Sequence, residues 1–365
     1  YPAQLRFKQE VLAEALHGVP GAAACLHAVV PAAATQDYRN KMVFTFGTTP
    51  TGELRLGLHR RGSIMHIIPA DTCWLQSAAS REIVRRVQAL AKQLNAPAFH
   101  EIKKTPGLRT LTVREARGTG QRMVELVTTT IYPGLAEALL AQLDDLADTI
   151  FLSTDTNIYG SARPEQRTIL KGTGIIEETL NGLRFRIGPD TFFQSNSAQA
   201  AALFRRLTEL ATQHGRPRVA LDLFSGTGPI ALHLAAHAER VIAVENWAPS
   251  VEVLRENLAL NNVQNVDAVA ADINQSHPPG IPSRVDLVVV DPPRPGLSPR
   301  AIEWVTSRQP ESVIYVSCNP ATLARDLKLF LQAPYQIETI EPFDLFPHTY
   351  HIETLVLLRR TSTSE

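Results

Sequence analysis

The chain has 365 residues, 44% of them hydrophobic, and its 36 basic residues equal its 36 acidic ones. That length and apolar content imply two domains with real cores, while a net charge of zero means that any nucleic-acid contact must rest on local patches. Three scattered cysteines argue against a disulfide framework and for a reducing, cytoplasmic setting, and no apolar run reaches the ~18 residues of a membrane span.

The N-terminus reads as an amphipathic helix rather than a signal peptide. Leu5, Val11, Leu12, Ala15 and Leu16 fall at helical spacing between Gln4 and Leu16, and Gly18 and Pro20 end that helix. The chain opens at Tyr1 without a Met, as expected of a piece of something longer. Residues 21–36 are Ala-rich with Pro31 and read as linker, so that 1–35 form one piece. From Tyr38 to about Ile131 the texture is β-rich. KMVFTFG, ELRLGLHRRG, LRTLTVREA and RMVELVTTTI are short alternating runs punctuated by Gly or Pro. A helix over Ser80–Asn95 interrupts them, a second is expected over 134–147, and TIFLSTD is a further strand. Residues 36–185 therefore read as an α+β domain with an antiparallel sheet.

The rhythm changes near residue 190. Helix QSNSAQAAALFRRLTELATQ is followed by strand RVALDLF, helix PIALHLAAHA, strand RVIAVEN, helix APSVEVLRENLALNN and strands VDAVAAD and VDLVVVD. Helix SPRAIEWVTSR and strand SVIYVS continue the series. Such alternation predicts a doubly wound, mostly parallel, Rossmann-like α/β sheet over 186–365. No internal repeat is present.

In LDLFSGTGPIAL a Gly-rich turn joins a strand to a helix, and Gly226 and Gly228 let the backbone approach a ligand and adopt positive φ. Glu245 ends the next strand, roughly 20 residues beyond Asp222, where an acidic side chain holds ribose hydroxyls. The turn lacks the full G-x-G-x-x-G fingerprint and no pyrophosphate-binding pattern occurs elsewhere. S-adenosylmethionine (SAM), with a ribose and an adenine but no phosphate, fits better than a dinucleotide. Asp272, after the third strand, is placed to reach the adenine amine. Asp291, in DPPRPG, ends the fourth strand at the carboxyl edge where open α/β sheets bind ligands. Exocyclic-amine methyltransferases carry a similar acid-Pro-Pro followed by an aromatic residue. Arg294 in that place points away from amine methylation. In PDTFFQSN, Phe192 is placed to stack on a base and Gln194 to bond a polar ligand edge, while Phe193 reads as core.

Cys318 ends the fifth strand, on the same edge as Asp291. A lone cysteine is more often a buried structural thiol, but this position favours chemistry. Carbon 5 of uracil is a poor nucleophile until a thiolate adds to carbon 6. It then takes a methyl group, a base removes the remaining proton, and elimination frees the cysteine. The base candidate is Glu353, which interrupts the apolar strand of Ile352 and Leu355 to Leu358. A carboxylate there is costly unless exposed, paired or catalytic. His348 and His351 flank it and read as structural.

Together these residues resemble the RNA (uracil-5-)-methyltransferase family, SAM-dependent enzymes that make 5-methyluridine in 23S rRNA or tRNA. YRNKMVFTFG, GLHRRG, LTVRE, FFQSN, LDLFSGTG, DPPRPG, SCNPATLARDL and DLFPHTYHIE carry the likeness along nearly the whole chain. The resemblance implies a class I SAM methyltransferase domain, with Cys318 as nucleophile and Glu353 as general base. It implies SAM contacts from Gln194, Phe224, Glu245, Asp272 and Asp291, and Phe192 against the target base. Ser225 and Pro229 stand where the family turn often has Cys and Asn or Thr. Many ribosomal members carry an N-terminal RNA-binding β-barrel and a four-cysteine iron–sulfur site. No barrel precedes Tyr1 in this sequence, 1–35 corresponds to the segment just past three of those cysteines, and Cys73 matches the fourth. Cys73 would ligate a 4Fe-4S cluster only in a longer form that brings the other three. Cys25 has no matching role.

RNA is the expected partner, with no membrane, and a monomer is the expected form. Arg39, Lys41, Arg60, Arg61, Arg109 and Arg114 are expected to line a basic wall on the 36–185 domain, and Arg294 to touch the substrate. The expected reaction is methylation of a specific uridine through a cysteine adduct, with 23S rRNA favoured over the tRNA T-loop. The rival readings are an RNA cytosine-5 or amine methyltransferase, and a non-catalytic RNA-binding protein that keeps the fold.

Overall fold

The computed structural model describes residues 1–49, 51–63, 66–100, 102–157, 163–274, 278 and 280–361. The chain divides into two compact units. Unit 1 comprises Tyr1–Ala33, Leu180–Phe185 and Ala198–Glu365, and unit 2 comprises Ala34–Thr179 and Arg186–Ser197.

The chain starts in unit 1 with α1 (Pro2–Ala15), where Pro2 occupies a first-turn position that needs no N–H. α1 buries Leu12 and, unexpectedly, Lys8. A single turn, α2 (Ala22–Cys25), comes next. The stretch read as linker is anchored after it, because Leu26 and Val30 make parallel bridges to Ile340 and Phe343.

Unit 2 holds β1 (Lys41–Thr48), β2 (Leu54–His59), β3 (Ile67–Pro69), α3 (Ala78–Gln93), β4 (Leu108–Glu115), β5 (Arg122–Thr128), α4 (Leu135–Leu143), β6 (Thr149–Thr154) and β7 (Gln166–Lys171). Its sheet runs β3-β2-β1-β4-β5-β6-β7. All pairs are antiparallel except β5–β6, which are parallel because α4 carries the chain back between them. Met42, Phe44 and Phe46 alternate inward from β1 and meet Ile83, Val84, Val87 and Leu90 of α3 in one core. Ser77 caps α3 by accepting from the Ser80 N–H.

A hairpin of β8 (Ile176–Leu180) and β9 (Leu183–Ile187) turns through Asn181 and Gly182, both at positive φ, the two-residue turn that an Asn-Gly pair favours. The remaining elements are α5 (Ser197–Thr212), β10 (Val219–Leu223), α6 (Pro229–Ala235), β11 (Arg240–Glu245), α7 (Ala248–Leu260), β12 (Val266–Ala270), β13 (Leu287–Val290), α8 (Pro299–Ser307), β14 (Ser312–Ser317), α9 (Pro320–Phe330), β15 (Tyr335–Phe343) and β16 (Glu353–Arg360).

Their sheet has the order β12-β11-β10-β13-β14-β16-β15. The first five strands are parallel, as the alternation predicts, and the order reverses between β10 and β13. The end of the sheet departs from a plain parallel array. β16 returns antiparallel and inserts between β14 and β15. Val288, Val290, Val313, Tyr315, Val356 and Leu358 from the central strands share a core with Leu12 and Leu16 of α1.

One buried carboxylate ties the loops at the carboxyl edge. Asp326 of α9 accepts from Tyr315 Oη at 2.7 Å, from the Leu297 N–H at 2.7 Å and from Arg325 Nε at 2.8 Å. Asp326→Ala leaves the first two donors unpaired, at a cost of about 2–4 kcal/mol. A thermal melt of the variant is expected to fall by about 5–10 °C; an unchanged melt would show that water replaces those bonds without penalty.

Candidate active site

The carboxyl ends of β10, β11, β12, β13 and β14 all open onto one edge of unit 1. Phe224 leaves β10 at φ 63, a conformation that costs a side-chain-bearing residue strain. Gly226 comes two residues later at φ 55 with open space where a Cβ would point, whereas a Cβ on Gly228 would strike Leu254. Glu245 closes the turn from β11: Oε2 accepts from the Gly226 N–H at 3.0 Å and Oε1 from the Trp247 N–H at 2.8 Å. Asp272, after β12, accepts from the Asn274 N–H at 2.9 Å. The buried hydroxyls of Ser225 and Thr227 have no hydrogen-bond partner among the described residues.

Cys318 and Glu353 meet through strand register. The last pair of the β14–β16 ladder is Ser317 with Thr354; Cys318 follows the one, Glu353 precedes the other, and the Glu353 charge acts on the Cys318 thiol. Asp291 comes directly after β13, whose Val290 is level with Tyr315 of β14. Asp222 lies one strand further on, level with Val289. The predicted acids and the predicted thiol therefore share one sheet edge.

Their electrostatics are coupled. Burial pushes the Cys318 thiol up to about 11, the charges of Glu353 and Asp291 push the same way, and Arg294 opposes them. Glu353, only 3% exposed, is raised well above the carboxylate range by burial and by Asp291. Asp291 keeps some surface accessible, yet burial of its carboxyl raises it too. Asp222 is fully buried and raised by burial first and by Asp291 second, with the Ala231 backbone N–H opposing and Glu245 adding a smaller push upward. Beyond that weak backbone interaction, no hydrogen bond of good geometry reaches either Asp222 oxygen among the described residues. Sequence reasoning missed Asp222 as a site residue, although an acid inside VALDLF carries the signal that identified Glu353.

Arg294 is exposed, and its Nη2 lies 3.5 Å from His351 Nε2. Its carbonyl accepts from Asn319 Nδ2 and Thr322 Oγ1, which fixes the proline loop against the start of α9.

The remaining predicted residues belong to unit 2. Phe192 is 70% exposed and Phe193 is buried, so the paired phenylalanines divide as expected. The Gln194 carbonyl accepts from Asn40 Nδ2 at 2.8 Å. Arg39 and Lys41 are half-buried, and burial, with the Arg114 charge second, lowers the Lys41 amine to about 8. Arg60 and Arg61 are exposed. The expected basic wall needs correcting at two positions. Arg109 is buried against Asp155, at 2.9 Å, and over the Phe99 ring. Arg114 is buried and donates to the carbonyls of Pro189 and Thr191. Both guanidiniums are consumed by internal partners and cannot meet a phosphate.

Cys73 is half-buried beside the core of unit 2, and that unit contains no second cysteine. Among the described residues no three His, Cys, Asp or Glu side chains gather as a metal site. The residues present therefore do not fit a 4Fe-4S cluster. The Cys25 thiol lies 3.3 Å from the Ile337 carbonyl. Among the described residues no helix is long and apolar enough to cross a membrane.

The family tRNA (uracil-5-)-methyltransferase matches residues 283–361, the segment that carries Asp291, Cys318 and Glu353, and a TRM5/TYW2 methyltransferase domain matches 176–294. An uncharacterised RNA methyltransferase of Clostridium tetani is 35% identical over 90% of this chain and 73% of its own length. One from Gloeobacter violaceus is 34% identical over 99% of this chain and 79% of its own. The solved tRNA (uracil-54, C5)-methyltransferase of Pyrococcus abyssi, in complex with S-adenosyl-L-homocysteine, superposes with TM-score 0.78 at 28% identity, covering 98% of this chain and 83% of that one.

The unpaired Asp222 carboxyl predicts a pH-dependent penalty. Its folded pKa is raised, so in the range between the ordinary carboxylate value and that raised value the unfolded chain gives up the proton first, and stability falls as pH climbs. Asp222→Asn is therefore expected to melt higher than the parent by about 2–4 °C at pH 8 and to match it near pH 4. Melting curves across pH check this, and a variant that melts lower at pH 8 would mean that the carboxylate is paired.

Proposed function

The chain belongs to the RNA (uracil-5-)-methyltransferase family, and from that premise we propose that Cys318 and Glu353 carry its reaction, as nucleophile and general base. It is a class I SAM-dependent enzyme that methylates carbon 5 of uracil in RNA. The observation that supports the proposed roles is that Cys318 and Glu353 both adjoin the last pair of the β14–β16 ladder, Ser317 with Thr354, and that the Glu353 charge acts on the Cys318 thiol.

Among the residues of unit 1, Phe224, Gly226, Glu245, Asp272 and Asp291 would hold SAM, together with the unpaired Ser225, Thr227 and Asp222 atoms. When bound, SAM supplies an electrophilic methyl group on a cationic sulfonium. A nest of raised carboxyls suits a cation, which lowers the cost of their ionisation. Gln194, Phe192, Arg39 and Lys41 are assigned to ligand contact on the family resemblance.

The chemistry of the chain's own groups then runs in order. The Cys318 thiol gives its proton to solvent and the sulfur bonds to carbon 6, with the electron pair moving toward the carbonyl oxygen on carbon 4. Arg294 is the nearby cation that favours the thiolate. After carbon 5 is methylated, the Glu353 carboxylate takes the proton left there, and the carbon–sulfur bond breaks. Glu353 must first give its own proton to solvent, which a cation bound at the site favours, and its raised pKa then makes the carboxylate the stronger base.

The RNA proposed is 23S rRNA, on the likeness of the Tyr1–Glu10 and Cys73 segments to ribosomal members. A tRNA uridine is the second reading, favoured by the Pyrococcus likeness. All three chemical groups come from one unit of one chain, so a monomer suffices, and the cytoplasm is where its RNA and its three unpaired thiols belong.

Methyl transfer to 23S rRNA and tRNA transcripts, with 5-methyluridine mapped in a deletion strain, tests the assignment. Cys318→Ala is expected to lose turnover by more than about 1,000-fold. Glu353→Gln is expected to slow release by about 100-fold or more and to trap a covalent RNA adduct on denaturing gels. Modified cytidine in place of uridine, or an active Cys318→Ala, would sink the mechanism. In the free enzyme, alkylation monitored on the Cys318 peptide should accelerate about tenfold per pH unit from pH 7 to 10; a plateau near pH 8 would show that the thiolate forms without substrate.

A further inference from the structure

Three polar side chains at the start of the chain, Tyr1, Gln4 and Lys8, all reach one loop, residues 344–352 between β15 and β16, which leads into Glu353. Lys8 has no exposed side-chain surface, and all three of its ammonium protons are used. Nζ donates to Asp344 Oδ1 at 2.6 Å, to the His351 carbonyl at 2.6 Å and to the Phe346 carbonyl at 3.1 Å. Asp344, also fully buried, takes a second bond on Oδ1 from the Phe346 N–H and one on Oδ2 from Tyr1 Oη at 2.6 Å. Gln4 Oε1 accepts from the N–H of His348, which sits at φ 65. Positions 1, 4 and 8 share one helix face, so a single stripe of α1 grips a loop that has no ladder of its own.

A buried ion pair is poor evidence of stability, since apolar side chains of the same size commonly do as well. What apolar side chains cannot do is hold two carbonyls of an irregular loop at set positions. The grip reaches close to the reacting groups. His351 stands two residues before Glu353, and its ring lies 3.5 Å from the Arg294 guanidinium.

We propose that α1 is a clamp on the β15–β16 loop, and that Lys8 is a positioning residue that sets Glu353 against Cys318 by fixing the Phe346 and His351 carbonyls. The proposal rests on the reading of Glu353 as the base. Lys8→Met removes the three bonds at nearly constant shape, and Lys8→Met with Asp344→Leu also removes the stranded charge. For Lys8→Met, kcat is expected to fall about 10- to 100-fold with KM for RNA within about twofold, and the covalent adduct to accumulate as in Glu353→Gln. The neutral pair, which still strands the Tyr1 hydroxyl and the Phe346 N–H, should melt above Lys8→Met alone without regaining kcat.

Recovery of kcat together with stability would reduce the pair to a structural role and overturn the proposal. So would an unchanged kcat in Lys8→Met, or a lost kcat with no adduct while Glu353→Gln accumulates one. If Glu353→Gln itself traps no adduct, the base assignment is what has failed, and the clamp stands or falls on the split between kcat and melting temperature. Should Lys8→Met not fold, Gln4→Leu at the partly exposed rim carries the test: a threefold to tenfold lower kcat, by order of magnitude, at unchanged melting temperature supports the clamp, and an unchanged kcat refutes it.

Discussion

Charge kept out of water governs unit 1 of this protein. Asp222, Asp291, Glu353 and Cys318 stand on one sheet edge, and burial raises the pKa of each. Each group left ionised makes its neighbours costlier to ionise, so the ligand-free edge favours protons on its acids and on its thiol. Such an arrangement lowers folding stability at neutral pH. It persists because the surrounding sheet is over-determined by Val288, Val290, Val313 and Tyr315, all fully buried.

Register decides which residues feel this field. Parallel strands alone would bring Asp222, Asp291 and Cys318 to the same edge, since all three lie at the carboxyl ends of β10, β13 and β14. Glu353 arrives by another route, at the N-terminal end of an antiparallel strand. A one-residue slip of β16 would turn its side chain to the opposite face. Two devices pin that register. Leu355, Val356, Leu357 and Leu358 are buried on both faces of the sheet, and the preceding loop is fastened by Lys8 and Asp344. On the proposed roles, the fold places its base with an ion pair more than 330 residues apart in the chain.

Several of these features are legible in the sequence for physical reasons that act locally. The Gly turn and the proline loop arise from backbone sterics, and the acid ending β11 is marked by its place at the end of a strand in the strand–helix rhythm. The parallel order of β10 to β14 is set by the strand–helix rhythm. The features that stay hidden are long-range. Nothing near Lys8 announces Asp344, and a lysine on an amphipathic helix reads as solvent-facing. Arg109 and Arg114 look like surface cations on β4, yet their partners Asp155, Pro189 and Thr191 lie far along the chain. The insertion of β16 between β14 and β15 is likewise a choice among pairings that no local pattern encodes.

The raised thiol has a consequence for selectivity. At about 11, the Cys318 thiol is almost wholly protonated at neutral pH, and a protonated thiol reacts sluggishly with oxidants and electrophiles. Reactivity then depends on whatever lowers that value. Among the described residues the cation opposing the acids at Cys318 is the Arg294 guanidinium, which stands beside the His351 ring. A cationic ligand at the same edge acts in the same direction, by offsetting the negative charge of Asp291 and Glu353 at the sulfur. On the proposed roles, thiolate formation is thereby tied to occupancy of the site, and the cost is borne by stability that the neighbouring core can spare.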